Sequence, residues 1–157
     1  MSQPDGYRLL DEPQPGAMAQ LVVDPLWPLL AVMFGGAWLS WPWFALNGFA
    51  VGSPTRRREL AWAVGGFAGS AALVLALGFL TGRGILAGVG IQYALVGLTV
   101  WKLLVSYRLY MLQARSFGLY RYFGGAVRNG LVVIFLAFFF GQRLLAGLPE
   151  ILLIILR

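Results

Sequence analysis

Arg143 and Glu150 are the residues of this chain whose types and spacing most suggest chemistry. They are a base and an acid, seven positions apart in a C-terminal run that is otherwise apolar. Ionisable groups inside a lipid-facing stretch are costly and often mark a functional path. Seven residues put both groups on one face of a continuous helix, separated by about 10 Å along its axis. That is too far for a direct pair on a straight helix. Arg143 is therefore expected to snorkel toward the outer headgroups. Glu150 is expected at the start of a last short helix, where the dipole favours an acid. Gln92 is the main polar residue of the third apolar stretch, and in lipid its amide should bond a neighbouring helix; Asn47 reads the same way. The competing reading buries Arg143, Glu150 and Gln92 as one polar path.

Other chemistries are closed by composition. The chain has no His and no Cys. Thiolate chemistry, His/Cys zinc sites, haem ligation by His and the commonest general base are all excluded. Glu59 reads as the first residue of the second apolar stretch, which leaves Glu150 as the membrane-embedded acid and no carboxylate pair. The glycines around 82–90 lack the Lys and Ser/Thr of a phosphate-binding loop and follow a lipid-soluble helix rather than a strand. The expectation is a protein that is not an enzyme and takes no cofactor and no metal.

The elements that position these residues follow from hydropathy. The chain of 157 residues is 59% hydrophobic and 11% charged, against roughly 25% charged in soluble domains, with a mean hydropathy of +0.76. An all-α membrane protein is expected, with a flexible acidic tail over residues 1–24 and a transmembrane domain over 25–157. Four spans are predicted near 25–51, 59–80, 85–106 and 130–148, with a basic, aromatic interfacial segment before the last. Asp24 caps the first span, and Pro42 should kink it. Gly65 and Gly69, then Gly84 and Gly88, have the spacing that lets helix backbones approach. Spans two and three thus read as a closely packed hairpin. Gly147-Leu148-Pro149 should break the last segment, leaving ILLIIL along the surface.

The net charge of +6 would suggest nucleic acid in a soluble protein. Here the bases flank apolar stretches, so they read as orientation signals and as contacts to anionic headgroups, Arg56, Arg57, Arg58, Arg115 and Arg121 above all. No nucleic-acid partner is expected. The 1–2 loop and the 3–4 segment hold most of the arginines and should be cytoplasmic. Four spans would then put both termini outside.

Phe34-Gly35-Gly36, Trp43, Asn47 and Gly52 ahead of a basic loop, with Gln113, Phe117, Gly124 and Gly125 later, resemble a class of small, uncharacterised bacterial four-helix integral membrane proteins. The resemblance implies a bacterial inner membrane and four spans, and supplies no activity. Two functions remain from the residues. One is a non-catalytic membrane subunit or scaffold, packing against itself or a membrane partner. The other is a small oligomeric channel, transporter or lipid-handling protein with its polar path near Arg143, Glu150 and Gln92.

Overall fold

The computed structural model describes residues 16–157. Their regular structure is all helical, with one isolated bridge between Val23 and Arg128. A short 3-10 turn at Ala19–Leu21 leads into α1 (Leu26–Phe34), α2 (Ala37–Val51), α3 (Arg56–Gly82), α4 (Val89–Tyr122), α5 (Leu131–Leu145) and α6 (Glu150–Leu156). Asp24 Oδ1 accepts the Leu26 N–H at 2.9 Å at the start of α1.

Two helices, α3 and α4, are long and apolar enough to cross a membrane, with window hydropathies of 2.0 and 1.5. Only 22% of each window is covered by the rest of the molecule. A soluble protein would bury such a helix, so these apolar faces point outward. The two form an antiparallel hairpin. Trp101 of α4 donates its indole N–H to the Gly66 carbonyl of α3 at 3.3 Å. A methyl placed on Gly69 would strike the Trp101 ring, and one on Gly66 would strike Val105 and Trp41. α4 continues unbroken through the basic, aromatic stretch to Tyr122. At 34 residues it is about 51 Å long, well beyond a bilayer core of about 30 Å.

The segment 25–51 differs from its sequence reading. It is not one rod but two antiparallel helices. The Ser40 hydroxyl of α2 donates to the Pro28 carbonyl of α1 at 2.7 Å, and the Val23 N–H ahead of α1 donates to Asn47 Oδ1 near the end of α2 at 3.0 Å. The chain therefore enters and leaves this segment at one end. The fold-back lies at Gly35-Gly36. Gly36 takes φ +98°, and a methyl there would also meet the Leu156 carbonyl at 2.8 Å, so only glycine fits. Pro42 does not interrupt α2, which runs on past it to Val51. The fold-back lies at the two glycines, six residues before the proline.

α5 starts with Gly130 against Trp27 and ends beyond the fold-back, where Gly141 meets Trp38. It thus runs beside α1 in the same direction. The chain then breaks across residues 146–149, with Gly147 at φ +100°, and α6 begins at Glu150. α6 does not lie apart on a surface. Its last turn abuts Gly36, and Lys102 Nζ of α4 donates to the Ile154 carbonyl at 2.6 Å.

Candidate functional site

A set of buried polar groups converges at the end of the bundle where α3 and α4 carry arginines and α2 ends. Glu59 sits in the first turn of α3 with no exposed surface. Its Oε1 accepts the Ser53 and Thr55 hydroxyls, each at 2.7 Å, and its Oε2 accepts Gln113 Nε2 at 2.7 Å. The local sequence explains the first two bonds. Gly52, in the left-handed conformation at φ +70°, ends α2 and turns Ser53 and Thr55 back over the start of α3.

Gln113 of α4 is 1% exposed and fully engaged. Its Nε2 donates both to Glu59 and to the Phe44 carbonyl of α2, and its Oε1 accepts Asn47 Nδ2 at 3.1 Å. Asn47 Oδ1 in turn accepts the Val23 N–H. The Ser116 hydroxyl lies 3.3 Å from that of Ser53. One continuous network therefore ties the start of the α1–α2 hairpin, the α2–α3 turn, α3 and α4. Gly48 makes room for it, because a methyl there would collide with Glu59 Oε2. A second buried layer lies one to two turns away: Trp41, Phe44, Ala63, Val105 and Leu109 pack together, and Trp41 Nε1 donates to the Ser106 hydroxyl at 2.9 Å.

In an apolar surround an unsatisfied polar group costs about 1–3 kcal/mol. Each member of this network satisfies the next, which is what lets a carboxyl group sit there at all. Chemically the cluster holds four helical segments in register. Among the described residues no group of His, Cys, Asp and Glu could hold a metal ion.

Of the polar residues singled out from sequence, Asn47 is in this network, bonding Gln113 of α4, and the others sit elsewhere. Gln92, Arg143 and Glu150 are all exposed, on α4, α5 and α6, and the structure draws no bond among them. Gln92 makes no hydrogen bond to a neighbouring helix among the described residues. Arg56, Arg57, Arg58, Arg115 and Arg121 are exposed around the network's end of the bundle, with Arg56 over the Phe49 ring at 5.7 Å. Gly69 packs on Trp101. Gly65, Gly84 and Gly88 face open space, the last two at φ +68° and +53° in the α3–α4 turn.

Sequence reasoning missed Glu59 as a buried acid, because three arginines precede it and it reads as the solvated edge of a span. Three hydroxyls or amides at Ser53, Thr55 and Gln113, beside a glycine at 48, were the available signal. Comparison with known proteins adds no relative: no family model, no curated protein and no solved structure matches this chain.

Proposed function

We propose that the chain is a non-catalytic integral membrane protein, a subunit or scaffold that acts by helix packing with a membrane partner or with another copy of itself. The observation behind this reading is the Glu59–Gln113–Asn47 network. Glu59, Gln113 and Asn47 are buried and bonded to one another, while the long faces of α3 and α4 stay apolar and outward. Val64, Leu75 and Leu104, at 59%, 67% and 59% exposure, lie on those faces.

In the proposed placement α3 and α4 cross a bacterial inner membrane, with Arg56, Arg57, Arg58, Arg115, Arg121 and Arg128 at the cytoplasmic headgroups. The α1–α2 hairpin enters from that side and turns back at Gly36. Lys102 is eleven residues from Gln113 on α4, or about 16 Å. That is half of a bilayer core, so the fold-back and α6 lie near mid-depth. Residues 19–23 bond Tyr120 and Arg128 at the basic end. The N-terminal tail is therefore proposed on the cytoplasmic side, which revises the outward placement expected from four spans.

Photo-crosslinkers at positions 64, 75 and 104, activated in native membranes, test the scaffold reading. Discrete adducts of defined mass, at one face more than another, are expected. Lipid adducts alone, with a monodisperse monomer after mild extraction, would refute it. The second reading is a channel or lipid-handling protein. It is favoured by a cleft of about 440 Å³ lined by Val32, Leu98, Thr99, Lys102 and Arg157. Its polar path would run past Lys102 rather than Arg143, Glu150 and Gln92, and liposome flux unchanged by Lys102→Met would remove it.

A further inference from the structure

A separate cleft of about 380 Å³ opens between the 3-10 turn, the lower half of α2 and the start of α5. Its polar lining is gathered at one end: Gln20, Asn47, Arg128 and Asn129 lie at the basic end, beside Met18, Leu21 and Val23. Trp43 lies one turn further along α2 from that end, and Val133 one turn into α5. Leu46 and Val133 are 58% and 41% exposed, so the apolar wall is open.

Arg128 is held in place twice. Its backbone N–H donates to the Val22 carbonyl at 2.7 Å, and its Nε donates to the Gln20 carbonyl at 3.1 Å. These bonds fix the guanidinium while its two terminal amino groups bond no described residue. A guanidinium held by Nε presents those two groups as a fork, which matches two oxygens of a phosphate. Asn129 Oδ1 caps the Leu131 N–H at 2.9 Å, so its amide nitrogen also stays available.

We propose that this cleft binds one anionic phospholipid. Arg128 grips the phosphate, Asn129 assists, and one acyl chain runs along Leu46, Trp43 and Val133 toward the bilayer centre. Polar groups confined to the headgroup level, with only apolar residues further inward, match the order within a phospholipid of that leaflet. A choline headgroup would bring its ammonium to an end already crowded with arginines, whereas a glycerol headgroup brings none; this selects the anionic lipid. Val23 lines the cleft and also donates to Asn47, so an occupant touches the last member of the buried network. The proposal rests on the membrane reading but needs no protein partner, so it stands or falls apart from the scaffold role.

The test uses the purified full chain, reconstituted with equal phosphatidylglycerol and phosphatidylcholine, then released for native mass spectrometry. One retained phosphatidylglycerol per chain is expected. Arg128→Gln should lower its retention about tenfold, the loss of a single charge-assisted pair at about 1.4 kcal/mol. Arg128→Lys should be intermediate, since an ammonium cannot fork. Arg57→Gln, which removes an equal charge outside the cleft, should change nothing. Val133→Trp, which fills the apolar wall, should expel the lipid and decides the matter even if Arg128→Gln misfolds. Equal retention of phosphatidylcholine, retention unchanged by Arg128→Gln or by Val133→Trp, or displacement by inorganic phosphate alone would each overturn the proposal.

Discussion

Gly48→Ala adds one methyl group to a helix and should nevertheless destabilise the fold. In an open helix the change gains about 1 kcal/mol, because glycine is the poorer helix former. At position 48 the methyl collides with Glu59 Oε2 and comes within 3.1 Å of Gln113 Nε2. The carboxyl group must withdraw, losing the Gln113 bond and loosening those from Ser53 and Thr55. Hydrogen bonds between membrane helices average about 0.6 kcal/mol, and those to charged groups reach about 1.5–3 kcal/mol. Three weakened bonds with partners left buried come to roughly 2–5 kcal/mol by these figures. Offset by the helix gain, the net loss is about 1–4 kcal/mol. Reversible unfolding by dodecyl sulfate titration in mixed micelles reads it directly. Gly65→Ala, with nothing within 4 Å, is the matched control and should be neutral or slightly stabilising. In a Glu59→Ala background the collision is gone and only Gln113 Nε2 remains near, at 3.1 Å, so Gly48→Ala should cost little there. The double-mutant coupling should then be at least about 1 kcal/mol. A Gly48→Ala protein as stable as wild type, or one destabilised equally with and without Glu59, would refute the packing described for this site.

Three further outcomes are expected. Gly69→Leu drives a side chain into the Trp101 ring and should lower the detergent melting temperature by several degrees, whereas Gly65→Leu should leave it nearly unchanged; equal melting curves would place both glycines on the lipid face. Ser2→Cys and Arg57→Cys should both resist a membrane-impermeant thiol reagent on intact spheroplasts while Ile85→Cys reacts, and labelling of Ser2→Cys alone among the first two would restore the outward N-terminal tail. Lys102→Met removes the donor that holds the Ile154 carbonyl, so proteolysis within residues 146–157 in detergent should accelerate; unchanged cleavage would mean that apolar packing alone seats α6.

The α3–α4 hairpin was readable because its signals are local: continuous apolar length, a Thr81–Gly84 turn and arginines at the start of the first helix. The break between α5 and α6 was readable for the same reason, from Gly147 and Pro149. The fold-back within 25–51 was not. Its apolar length equals that of one crossing, and nothing local distinguishes a single rod from two short helices until Val23 is seen beside Asn47 and Pro28 beside Ser40. Pro42 is where a kink is expected, but the position where a methyl has no space is Gly36. The network's members are separated by up to 69 residues, so Glu59 looks like a surface charge until α4 is laid against it. Arg143, Glu150 and Gln92 stood out for the opposite reason. They are conspicuous against apolar neighbours, yet conspicuous residues in lipid can simply face outward at the ends of helices.

The late arrival of Gln113 also has a consequence for how the chain is made. The α1–α2 hairpin leaves the ribosome well before the residue that fastens it, since Phe44 and Gln113 are 69 positions apart. At about 5–20 residues per second, synthesis leaves the hairpin unfastened for roughly 3–14 s. During that interval its fold-back lacks both α4 and the end of α6 that later packs against Gly36. In the proposed membrane placement the insertion machinery would have to shelter a half-inserted loop rather than release it to lipid, and membrane proteases would have their best opportunity on nascent chains. Arrested chains ending before residue 113 should be cleaved within residues 25–51 far faster than those ending after 130, a difference that pulse-chase labelling would reveal.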